Sequence, residues 1–164
     1  GCRFEPISGI LQTICHNVTR TTQSMHDKNS TFPEAPVQTT PYQRIGGESG
    51  LRRLVHRFYA LMDTLPEAWD VRKLHPDDLS GSEEKLFMYL SGWLGGPDLF
   101  VQRFGHPRLR ARHLPFEIAS RERDQWMLCM RQAMLECVAD KVLASDLLTA
   151  MSGLADHMRN RADS

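Results

Sequence analysis

From Tyr42 onward, apolar residues recur at helical spacing, with no sustained alternation of period two and no internal repeat. The clearest stripe, Leu51, Leu54, Val55, Phe58, Tyr59 and Met62, predicts a helix that opens after Gly46-Gly47 and ends at Pro66. A connector containing Trp69, Leu74, His75 and Pro76 follows. It leads to Ser80-Gly81-Ser82-Glu83, where Ser80 and Glu83 have capping-box spacing. The second predicted helix buries Leu86, Tyr89, Leu90 and Trp93 and stops at Gly95-Gly96-Pro97. A third, with Ser120 as its cap, carries Trp126, Cys129, Met130, Ala133 and Cys137 on one side. A fourth, capped by Ser145, carries Leu147, Leu148, Met151, Leu154, Ala155 and Met158. Four long helices in two pairs make a small all-α sandwich.

The chain before Tyr42 reads differently. Phe4, Ile7, Leu11, Ile14, Cys15 and Val18 have the spacing of one amphipathic helix, and Asn29 to Pro41, rich in Ser, Thr and Pro, reads as an irregular linker. The expected organisation is therefore an extension over 1–41, a helical domain over 42–160 and a polar tail over 161–164. The extension lacks the unbroken apolar run and small-residue cleavage site of a signal peptide.

Composition narrows the classes. The chain has 164 residues and 41% apolar content, enough for one domain whose core can enclose a small cofactor. Formal charge is zero, so there is no electrostatic footprint for nucleic acid, and no apolar run is long enough to span a membrane. Cys2, Cys15, Cys129 and Cys137 form no CxxC or CxxCH, which argues against a zinc knuckle and against covalent haem attachment. A reducing cytoplasm fits this cysteine usage best.

The most informative chemistry lies in Gly105-His106-Pro107-Arg108-Leu109-Arg110-Ala111-Arg112-His113-Leu114-Pro115-Phe116. Pro107 is suited to opening a short helix and Pro115 cannot continue one, so His113 falls in the last turn. Leu109 and His113 share one face, while Arg108 and Arg112 share its neighbour. An inward imidazole beside a cationic rim would suit an apolar cofactor with a central metal and an anionic edge. The same spacing also suits a capping histidine in an exposed basic turn, and position alone does not choose between the two readings.

Six motifs in order move that balance. Tyr42-x-x-Ile45-Gly46-Gly47, Phe58-Tyr59, His75-Pro76-x-Asp78-Leu79, Trp93-Leu94-Gly95-Gly96-Pro97, the His113 run and Glu122-Arg123-Asp124-x-Trp126 together resemble the group II truncated haemoglobins, from about Tyr42 to Met158. The resemblance implies a truncated globin, a two-over-two helical sandwich around one haem b, here with an N-terminal helical extension. Carried over by position, it puts the proximal iron ligand at His113. The distal groups would be Tyr59 and Trp126, with His75 at the corner position. Phe58, Ser82, Leu86, Tyr89, Trp93 and Phe116 would line the pocket, and Lys85 and Arg112 would meet the haem propionates.

The expected function is binding of dioxygen at ferrous haem with slow release, and turnover with nitric oxide or peroxide ranks second. Carbon monoxide is a further ligand, and turnover would need an external reductase because no flavin or nucleotide fingerprint is present. A monomer or homodimer is expected. The rival from another class is a haem-free helical interaction or sensor domain. A metal site from His56, His75, His106 and the cysteines is weaker, since their spacings make no zinc cluster.

Overall fold

Helix α2, Gly47–Thr64, is the element on which the others are assembled, and its residues explain why. Leu51, Leu54, Val55, Phe58, Tyr59, Leu61 and Met62 are all buried, so the stripe faces protein over its whole length. The computed structural model describes residues 38–163. The elements around α2 are α1 (Pro41–Arg44), a 3-10 turn (Pro66–Ala68), α3 (Trp69–Arg72) and α4 (Ser80–Trp93). They continue as α5 (Leu99–Phe104), α6 (Leu109–His113), α7 (Ser120–Cys137) and α8 (Lys141–His157). No strand occurs among the described residues. The expected helix over Phe4–Val18, most of the linker, and Cys2 and Cys15 lie outside them. Described residues from Thr39 onward form one compact unit.

The four long helices pair as the apolar pattern requires. Helix α2 packs on both α4 and α7, α7 packs on α8, and α5 packs on α4. Leu90, Met130, Met134, Leu143, Leu147 and Met151 complete a core in which Phe58 and Phe87 are the largest enclosed side chains. Cys129 is buried in that core, and Cys137 is a free, half-buried thiol.

Helix ends depart from the expected caps. Helix α4 starts from Leu79, and Asp78 Oδ1 accepts the Ser80 amide at 2.9 Å, so Ser80 is the first helical residue and not its cap. Helix α7 starts from Ala119, where Glu122 accepts the Ala119 amide and Asp163 accepts both the amide and the hydroxyl of Ser120. Helix α8 starts from Asp140, whose carboxylate takes the Leu143 amide at 3.0 Å and meets Arg44; Ser145 lies inside the helix. In each case a carboxylate near the helix start takes an orphan amide and complements the helix dipole. Two short helices, α3 and α5, occupy segments where the apolar pattern gave no period long enough to declare them.

The opening turn is fixed by glycine. Gly46 has φ 102° and Gly47 φ 65°, and Gly50 sits so close to the preceding turn that a Cβ there would lie 1.9 Å from the carbonyl oxygen of Ile45. That neighbour is backbone and cannot rotate away. Gly50→Ala is therefore expected to destabilise by about 3 kcal/mol in urea unfolding. Gly81→Ala, in open space on α4, should instead stabilise by about 0.5–1 kcal/mol.

Candidate functional site

Helix α6 spans only Leu109–His113, and its start is unusual: Arg108 has φ 46°, the left-handed region, in a residue with a side chain. Pro107 thus stands before the cap and not at the first helical position. Its carbonyl accepts Arg112 Nε at 2.7 Å, folding the arginine back along the turn. His113 is half-buried at the last helical position, with Nδ1 2.6 Å from the carbonyl oxygen of Leu109. A carbonyl can only accept, so Nδ1 carries the proton and Nε2 keeps its lone pair in the neutral ring.

A second group of side chains comes from α2, the segment after α3, and α7. The Phe58 ring lies 4.9 Å from Tyr59 and 5.0 Å from Trp126, and Tyr59 lies edge-on to His75 at 5.8 Å. The Tyr59 hydroxyl makes no hydrogen bond among the described residues, and burial first, then the Glu83 carboxylate, push its pKa well above the ordinary phenol value. It therefore stays protonated and free to donate. His75 Nδ1 donates to the Val71 carbonyl at 2.9 Å, so its Nε2 is also the bare nitrogen. Burial depresses the His75 pKa despite that bond, and the nearby Arg72 charge adds to the effect.

A third set links α4, α5 and α6. Tyr89 meets Phe100 edge-on at 6.1 Å, Phe100 packs on Phe104 at 5.0 Å, and the Arg112 guanidinium lies 5.3 Å from the Phe100 ring. Burial pushes the Tyr89 phenol up to about 12. Trp93 Nε1 is buried with no hydrogen-bond partner. Ser82 and Leu86, one turn apart on α4, are half-buried; Lys85 is exposed, as is Phe116 in the segment after α6.

Two contributors escaped the sequence reading. Phe100 was passed over because α5 was, although it is buried and bridges Tyr89 to Arg112. Gln125, beside Trp126, accepts the Val71 amide and donates to Asp70, each at 3.0 Å, and so ties α3 and its His75 corner to α7. No local pattern signals a glutamine whose partners lie more than fifty residues away.

The donor set fits an iron porphyrin. His113 offers one neutral imidazole nitrogen with its tautomer fixed by a backbone carbonyl, the arrangement that metal-ligating histidines require. Trp93 Nε1, a buried donor without a partner, is costly in a plain helical core and sensible beside a polar ligand. Val101, Phe104, Leu114 and Phe116, around α5 and α6, expose large apolar side chains that suit a flat apolar ring. Among the described residues no group of three or more His, Cys, Asp or Glu could hold a bare metal ion. His56 instead pairs with Glu83 at 3.1 Å.

The comparisons with known proteins agree. Residues 40–160 match the family model described as bacterial-like globin. The group 2 truncated hemoglobin of Bacillus subtilis is 36% identical over 123 residues, covering 75% of this chain and 90% of that protein. Among solved structures, the group II 2-on-2 hemoglobin of Agrobacterium tumefaciens is 46% identical with a TM-score of 0.76, covering 79% of this chain and all of the other. The cold-adapted truncated hemoglobin of Pseudoalteromonas haloplanktis is 44% identical with a TM-score of 0.74, covering 75% and 99%. Family membership implies a haem cofactor and oxygen binding, and disfavours the haem-free reading. No described helix is long and apolar enough to cross a membrane. With a helical sandwich that matches two-over-two globins and a family model spanning the whole helical domain, the chain belongs to the bacterial-like globins, as a group II truncated haemoglobin.

Proposed function

We propose that this protein holds haem b through His113 Nε2 and binds dioxygen with slow release, using Tyr59 and Trp126 as donors. The observation that carries the reading is the 2.6 Å contact from His113 Nδ1 to the Leu109 carbonyl, which leaves one unprotonated nitrogen at a fixed orientation. When bound, ferrous haem supplies an iron that takes dioxygen and draws negative charge onto it. The chain's task is then to stabilise that charge. A phenol kept protonated by burial and an indole N–H are donors in a site of low dielectric, where a charge-assisted hydrogen bond is worth about 1.5–3 kcal/mol. A B. subtilis structure that is 36% identical is described as an oxygen-avid truncated haemoglobin, which supports the same reading here.

His75 takes a narrower role than the sequence suggested. With Nδ1 committed to Val71, the neutral ring presents an acceptor at Nε2 and cannot donate to the ligand. Burial holds its pKa below the ordinary histidine value of about 6.5, so the neutral form prevails at pH 7. Only on acidification does Nε2 gain a proton and become a further donor. Lys85 and Arg112 are the proposed propionate partners, and Phe58, Ser82, Leu86, Tyr89, Trp93 and Phe116 the proposed lining. Turnover with nitric oxide or peroxide is the subordinate reading, carried by a redox reductant from outside the chain.

An absorption spectrum of the purified protein tests the cofactor: a Soret band is expected in the wild type and its loss in His113→Ala, while stoichiometric haem with an unaltered five-coordinate ferrous spectrum in that variant would remove His113 as the ligand. Stopped-flow measurement should show dioxygen leaving Trp126→Phe or Tyr59→Phe about tenfold to a hundredfold faster than the wild type; unchanged rates would reject the donor roles. The pH dependence isolates His75. Because its folded pKa is lowered, release should be flat above about pH 6.5 and slow as the pH falls through the lower folded value, and His75→Leu should abolish the slowing. The same sign applies to folding: the stabilising effect of a neutral His75 is complete above about pH 6.5 and is lost on acidification.

A further inference from the structure

We infer that Asn160 is a positioning residue for the iron ligand, because the segment after α8 latches the short helix that carries His113. The inference rests on the reading of His113 as that ligand. Helix α6 is barely more than one turn, so its own backbone hydrogen bonds cannot hold it against displacement. Its restraint comes from far along the chain. Asn160 Nδ2 donates to the carbonyl of His113 at 3.1 Å and to that of Phe116 at 2.8 Å, while Asn160 Oδ1 accepts the Ile118 amide at 3.1 Å. The amides of Asn160 and Arg161 both donate to the Ile118 carbonyl, at 2.9 and 3.1 Å. One amide side chain thus satisfies three backbone groups of the segment that follows the histidine.

The latch is reciprocal. From α6, Arg110 Nη1 reaches the carbonyls of His157 and Arg159 at 2.6 and 3.1 Å, which caps the end of α8 with a cation where its dipole is negative. Asp163 closes the third side by accepting the amide and hydroxyl of Ser120 at the start of α7. The carbonyl of His113 is the last of α6, a position that a helix leaves orphaned; here it takes the Phe116 amide and Asn160 together. Moving Asn160 therefore moves the backbone that aims the imidazole, since its side-chain hydrogen bonds all go to backbone groups. Residues 161–164, read from sequence as a polar tail, begin within this latch.

The test uses the full-length protein with its haem. Asn160→Ala should shift the iron–histidine stretching band of the ferrous form and speed haem loss to excess apomyoglobin by about tenfold or more. It should also accelerate hydrogen exchange at the Ile118 amide. Asn160→Asp keeps the acceptor for Ile118 but loses both donors, so it should move the band while leaving Ile118 protected. Leu147→Val, a core truncation in the middle of α8, is the control for general destabilisation and should leave the band in place. A wild-type band position in Asn160→Ala, or an equal shift in Leu147→Val, overturns the positioning role. A wild-type chain without a Soret band overturns the haem reading as well, and exchange at Ile118 then judges the latch alone.

Discussion

One hydrogen bond, from His113 Nδ1 to the Leu109 carbonyl, sets the terms for the candidate site. It fixes a tautomer, and a tautomer fixes which ring nitrogen is a base and which is not. His75 makes the same commitment to Val71, so each imidazole in its neutral form keeps a lone pair at Nε2. Tyr59 and Trp126, set around Phe58, carry an O–H and an N–H that can donate.

The helices of this fold are short on self-sufficiency and rich in mutual capping. Gln125 on α7 satisfies a backbone amide of α3, Asp140 takes an amide of α8 while meeting Arg44 of α1, and Arg110 on α6 takes carbonyls at the end of α8. The Gln125 bond joins helices that already pack on each other, whereas the Arg110 bonds hold α6, which buries no residue of its own. Surface pairs such as Arg57 with Glu136 and Arg123 with Asp156 add to this, though exposed ion pairs contribute little individually.

The periodic apolar stripes made the four long helices legible, since burial of one face leaves a 3.6-residue signature in the sequence itself. The roles proposed for His113, Tyr59 and Trp126 came from the family resemblance carried by the motifs around them, since spacing alone left more than one reading open. Caps were misread at Ser80 and Ser120, which are the first helical residues while nearby carboxylates take their amides, and at Ser145, which lies inside a helix that starts from Asp140. Helices α3 and α5 were missed because four and six residues are too few to show a period. Gln125 and Asn160 were invisible for a different reason: their partners are forty or more residues away, and only the packed chain brings them together.

The buried thiol of Cys129, one turn along α7 from Trp126, has its pKa pushed up to about 11 by desolvation. At neutral pH only of order one molecule in ten thousand carries the thiolate there, and the thiolate is the form that oxidants and nitrosating agents attack. Packing alone thereby keeps a thiol one turn from Trp126 in its unreactive, protonated form.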